Sequence, residues 1–153
     1  MPALLIRHAH AGSRKDWDDD DRLRPLSDKG RRQAAALARH LKLWTPKRVL
    51  SSPYVRCVES VEPYAKSLGL KVEEVDELAE GSGDAAMALI RRLPSYDVAL
   101  CTHGDIISTV LACVVKEDRL DLGRSTPTAK GSTWVLERRG RRIQRANYRE
   151  PPR

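Results

Sequence analysis

A chain of 153 residues is long enough to bury a real core and too short for two ordinary domains, so a single domain over residues 1–153 is expected. Its 32% of charged residues and formal net charge of +7 describe a solvated exterior that favours anionic ligands, not a disordered tail. No run of about 18 apolar residues is available to span a bilayer.

Residues Met1 to Arg7 lack the long apolar region of a signal peptide, so a cytoplasmic protein without a membrane span is expected. Cys57, Cys101 and Cys113 form no C-x-x-C pair, and their odd number argues for reduced thiols. The histidines are scattered apart from His8 and His10, which argues against a zinc site; neither a metal nor a cofactor is expected.

In chain order, Ala3 to Ile6 is a short apolar run of the kind that forms a fully buried parallel strand, and it ends in Arg7-His8. A polar loop follows through Pro25. Ser27 to Leu43 then places Ala34, Leu37, Ala38 and Leu41 at helical spacing, with Ser27 as the N-cap. Arg48 to Ser51 reads as a second strand, and Ser52-Pro53 as the start of a helix that runs to about Leu68 and stops at Gly69. Lys71 to Val75 is a third strand, and Asp84 to Leu93 a third helix. Asp97 to Thr102 repeats the buried-strand pattern, followed by His103-Gly104 and an apolar helix from Ile106 to Val115. Ser132 to Glu137 and Arg142 to Ala146 close the chain as a hairpin around Arg138-Arg139-Gly140-Arg141. Repeated βα units predict an α/β fold, a three-layer α/β/α sandwich with a mainly parallel central sheet.

Such sheets bind ligands beyond the carboxyl ends of their strands. Arg7 and His8 lie at one such end, Arg56 in the first turn after the second strand, and His103 after the strand that begins at Asp97. Together they predict a cationic crevice suited to phosphoryl transfer, in which Arg7, Arg56 and protonated His103 grip the equatorial oxygens. His8, kept neutral by repulsion from Arg7 and Arg56, would be the nucleophile.

The segments Leu5-Ile6-Arg7-His8-Ala9, Ser51 through Arg56 and Thr102-His103-Gly104 resemble the signature of the histidine phosphatase superfamily, the phosphoglycerate-mutase-like group. That resemblance covers nearly the whole chain and implies a phosphatase with His8 as nucleophile and Arg7, Arg56 and His103 as phosphate ligands. Ala9 departs from the usual Arg-His-Gly, but SixA-type phosphohistidine phosphatases also read Arg-His-Ala, and their loop resembles Trp17 through Leu26 followed by Gly30. Histidine phosphatase domains fused behind MutT-type Nudix hydrolases are a further likeness, through Ala11-Gly12-Ser13 and Arg56 through Pro63. The two subgroups imply different partners: a phosphohistidine-bearing protein, or a nucleoside diphosphate or other phosphorylated small molecule. Leu78-Ala79-Glu80 resembles the segment that carries the family's general acid, which implies that role for Glu80, with Glu77 as the alternative. The absence of the long mutase insertions implies water as the acceptor.

Other residues have blander readings. Lys15 and Trp17 are candidate substrate contacts near the entrance, with loop packing as the alternative for both. His10 reads as an exposed loop histidine and Asp18 to Asp21 as solvated loop charges balanced by Arg22 and Arg24. Cys113 and Arg119 have the Cys-x5-Arg spacing of cysteine-dependent phosphatases, but no glycine lies between them and Cys113 falls inside a helix. Arg138, Arg139, Arg141, Arg142, Arg145, Arg149 and Arg153 could form a nucleic-acid stripe, although an aromatic content of 5% argues for a solvated hairpin and tail instead.

Overall fold

The first apolar run is strand β1 (Ala3–Arg7), buried on both sides: Ala3 and Leu5 face one helical layer, Leu4 and Ile6 the other. This two-sided burial is why the run shows no alternation of apolar and polar residues. In the computed structural model, which describes residues 2–153, β1 sits inside a six-stranded sheet. The other strands are β2 (Arg48–Ser51), β3 (Val72–Glu74), β4 (Val98–Thr102), β5 (Thr133–Arg139) and β6 (Arg142–Arg149), in the order β3-β2-β4-β1-β5-β6. The first four in that order run parallel, while β5 and β6 add an antiparallel margin.

Helices α1 (Asp28–His40) and α2 (Val55–Ser67) cover the face of Leu4 and Ile6; α3 (Gly83–Arg92) and α4 (Gly104–Glu117) cover the face of Ala3 and Leu5. This is the expected three-layer sandwich. It brings the carboxyl ends of β1, β2 and β4 to one edge, side by side. No helix among the described residues is long and apolar enough to cross a membrane.

Local chemistry sets the helix boundaries. Ser27 caps α1 by accepting the Gly30 N–H at 3.0 Å, a contact of the kind worth about 1 kcal/mol. A Cβ at residue 30 would overlap the carbonyl oxygen of His10, so α1 packs directly on the loop after β1 only because Gly30 has no side chain. The helix ends at His40, short of the predicted Leu43.

The predicted start of α2 needs correction. Tyr54, not Ser52, is the N-cap, and Pro53 precedes the helix; the Ser52 hydroxyl accepts the Tyr54 N–H and meets His103 instead. The hairpin is also tighter than predicted, with β5 running on to Arg139 and Gly140 taking φ +63°.

Candidate active site

At the edge formed by β1, β2 and β4 lies a cleft of about 360 Å³ lined by Arg7, His8, Gly12, Arg14, Arg24, Arg56, Glu80, His103, Gly104, Asp105 and Lys130. Arg7, His8, Arg56, His103 and Glu80, separated widely in sequence, are thus brought together. Five cations against two carboxylates line it.

The backbone of His8 extends the sheet by donating to the Thr102 carbonyl at 3.1 Å, and the ring is almost fully buried. Its Nδ1 lies 2.8 Å from the Ala9 carbonyl oxygen. A carbonyl only accepts, so Nδ1 carries the hydrogen and the neutral ring leaves Nε2 with a free lone pair. Burial pushes the His8 pKa down to about 3; repulsion from His103, Arg56 and Arg7 adds to this, while the bond to Ala9 opposes it. Desolvation of the ring, more than the repulsion from Arg7 and Arg56 expected from the sequence, is thus the larger cause.

Arg7 reaches from the end of β1 to the Thr128 carbonyl, 2.6 Å from Nη1. A Cβ at Gly104 would lie 2.9 Å from its Cζ, so the first residue of α4 leaves room for the guanidinium by having no side chain. Arg56, in the first turn of α2, is 1% exposed and has two contacts with Asp21: Nη1 to the carbonyl oxygen at 2.7 Å and Nη2 to Oδ2 at 3.0 Å. Asp21 also receives Arg24 Nε at 2.9 Å. With Arg14 Nε at 3.4 Å as well, the reading of Asp18 to Asp21 as solvated charge fails at its last residue, which holds three cleft arginines. These contacts keep the Asp21 carboxyl below its ordinary range: burial pulls upward but is outweighed by the hydrogen bond from Arg24 and by the charges of Arg56, Arg24 and Arg14.

His103 is the N-cap residue of α4. Its Nε2 lies 2.9 Å from Ser52 Oγ, and its ring packs edge-on to Tyr54 at 4.7 Å and to His8 at 5.5 Å. Nδ1 of His103, Nε of Arg7 and Nε of Arg56 are all buried without a hydrogen-bond partner. All three belong to residues that line the cleft, and a buried donor without a partner is the kind of group that a bound oxyanion satisfies.

Glu80 follows a 3-10 turn (Asp76–Leu78) that is tied down on both sides: Thr102 Oγ1 donates to Leu78 O at 2.6 Å, and Gly81 N to Asp105 Oδ2 at 2.8 Å. Arg14 Nη2 meets both Glu80 oxygens, at 3.1 and 3.3 Å. Glu77 points elsewhere, into an ion pair with Arg92 at 2.6 Å.

Lys15 and Trp17 do not line the cleft: Lys15 is exposed, and the Trp17 indole donates to the Asp20 carbonyl within its own loop. His10 is half-buried, with Nδ1 2.6 Å from the capping hydroxyl of Ser27. Cys113 lies well inside α4, where burial raises its pKa first of all, contrary to the needs of a thiolate nucleophile. Among the described residues, no three His, Cys, Asp or Glu side chains converge as metal ligands would. Sequence reasoning missed Arg14, Lys130 and Asp105, which lie outside the matched segments, and undervalued Arg24, which lies within the loop that resembles SixA-type enzymes.

Comparisons with known proteins give the family and the fold. Residues 3–85 match the family model described as the histidine phosphatase superfamily (branch 1). The chain is 32% identical over 156 aligned residues to the 8-oxo-(d)GTP phosphatase of Mycolicibacterium smegmatis; the match takes in 97% of this chain and 48% of that protein. It thus spans about half the length of that curated relative. Among solved structures, the putative phosphohistidine phosphatase SixA from Agrobacterium tumefaciens superposes with a TM-score of 0.75 at 24% identity, covering 98% of this chain and 97% of that one. The protein histidine phosphatase SixA complexed with tungstate gives a TM-score of 0.79 at 22% identity, covering 99% and 97%. At these identities the two structures show the fold alone. With the family model matching more than half of its length, the chain belongs to the histidine phosphatase superfamily.

Proposed function

We propose that this chain is a phosphatase that transfers a phosphoryl group from its substrate to Nε2 of His8 and then to water. The observation that carries the reading is the hydrogen bond from His8 Nδ1 to Ala9, which leaves Nε2 unprotonated inside a cleft lined by cations. Arg7, Arg56 and His103 hold the equatorial oxygens with the donors that lack a partner within the protein. Nε2 attacks phosphorus while the bond from phosphorus to the leaving group breaks, and Glu80 supplies a proton to that group when it needs one. In the second half, water attacks phosphorus as its bond to Nε2 breaks and the electron pair returns to the imidazole, the water proton passes to Glu80, and inorganic phosphate departs. Arg14 is the positioning residue for Glu80.

Two substrate classes fit this chemistry. The first is phosphohistidine on a protein, supported by the likeness of the Trp17 to Leu26 loop to SixA-type enzymes. The second is the phosphoanhydride of a nucleotide, supported by the printed name of the mycobacterial relative. A panel of a phosphohistidine carrier protein, nucleoside diphosphates and sugar phosphates, assayed with chelator present, tests the proposal. Turnover of at least one of these without metal is expected. Loss of all turnover on adding chelator, or undiminished turnover by His8→Ala, contradicts it.

A further inference from the structure

Lys130 is a cleft cation that the scheme above leaves without a task. It sits in a turn closed by the Ser132 N–H on the Ala129 carbonyl at 2.9 Å, with Gly131 at φ +82° in the position that a type II turn reserves for glycine. The turn is fixed to the nucleophile's own strand, because Gly131 N lies 3.1 Å from the carbonyl oxygens of both Arg7 and His8, and Thr128 O receives Arg7 Nη1. Lys130 therefore stands in the cleft on a turn hydrogen-bonded to the backbone of Arg7 and His8.

Its surroundings are one-sided. Burial leads in lowering its pKa, and the charges of Arg7, Arg24, Arg56 and Lys29 add to that. By contrast, Arg14, Arg24 and Arg56 each have a carboxylate partner. Of the five cleft cations, that leaves Arg7 and Lys130 without a carboxylate in contact among the described residues, and Arg7 is already assigned to the transferred phosphoryl group. The unpartnered donors of Arg7, Arg56 and His103 serve the transferred phosphoryl group in that scheme, which leaves Lys130 for a further anionic group.

We infer that Lys130 binds a second anionic group joined to the transferred phosphoryl, which makes a phosphoanhydride such as a nucleoside diphosphate the favoured substrate class. This rests on the phosphatase reading for its catalytic consequence, but not for binding. The amine donates to a non-transferring phosphate oxygen, and no bond to Lys130 forms or breaks.

The test compares Lys130→Met and Lys130→Arg with wild type, each checked for an unchanged melting midpoint. The probes are inorganic phosphate and the non-hydrolysable imidodiphosphate, titrated calorimetrically. Wild type is expected to prefer imidodiphosphate, and Lys130→Met to lose about tenfold of that preference, the scale of one charge-assisted hydrogen bond, while Lys130→Arg retains most of it. In turnover, the ratio of kcat/KM for a nucleoside diphosphate to that for a phosphomonoester should fall by a similar factor in Lys130→Met, mainly through KM. No preference in wild type, an equal loss for both anions, or no measurable binding of either overturns the inference. The binding readout needs no turnover, so failure of the His8 mechanism would leave it standing and be recognised separately.

Discussion

Asp21 grips Arg56 twice, through its carbonyl oxygen at 2.7 Å and its carboxylate at 3.0 Å, and so ties the loop between β1 and α1 to the first turn of α2. With Arg56 buried, the pair is poorly screened by solvent. Asp21→Asn keeps the shape but removes the charge. Because the Asp21 side chain remains 25% exposed, a loss of about 1–3 kcal/mol is expected, below the full cost of breaking a buried pair. The shift of the urea midpoint measures it, and phosphoryl-transfer activity should fall as Arg56 loses its fixed position.

The close approach of Gly104 to Arg7 makes a second prediction. Gly104→Ala places a methyl group 2.9 Å from Arg7 Cζ, so the guanidinium moves while the buried core stays intact. Displacing a positioning group by about 1 Å costs roughly a hundredfold in rate. Steady-state kinetics should show kcat/KM falling by about that factor, with little change in the melting midpoint.

Much of this was legible in the sequence, and the reason is physical. Apolar runs such as Ala3 to Ile6 and Val98 to Cys101 lie buried on both faces, so their composition announces parallel strands. Arg7, His8, Arg56 and His103 follow because each stands at a strand end or in the turn after it, where the fold allows little choice of direction. Asp21 and Lys130 were not legible, since their roles depend on loops folding back across the cleft; Asp21 meets Arg56 from 35 positions away. Ser52 was misread because a hydroxyl before Pro53 has the form of a cap, and only the fold shows His103 beside it.

Stability should depend on the protonation of His8 in acid. Its folded pKa of about 3 lies below the unfolded value of about 6.5, so between these values the unfolded chain binds a proton that the folded one refuses. The contribution is fully present above the unfolded value and is lost as pH falls, by at most about 1.4 kcal/mol per pH unit. Urea titrations from pH 7 to pH 4 should show wild type losing stability relative to His8→Asn. A pH-independent gap would mean that the ring is not held neutral.

Glu80 should matter in proportion to the proton that the leaving group needs. Glu80→Gln keeps a group able to contact Arg14 but cannot donate as an acid. The turnover of a phosphomonoester should drop by about a hundredfold or more, the scale of general acid catalysis. A phosphoanhydride, whose phosphate leaves as an anion, should lose several times less; equal losses on both would remove Glu80 from the acid's role.

The central claim is that phosphorus becomes bonded to Nε2 of His8. Wild-type protein mixed for milliseconds with substrate labelled in the transferable phosphoryl group, then quenched in alkaline detergent, should carry label on the peptide containing His8. That label should survive alkali, disappear in mild acid, and be absent from His8→Asn. Rapid turnover with no label at any time, or label that persists in His8→Asn, contradicts the account.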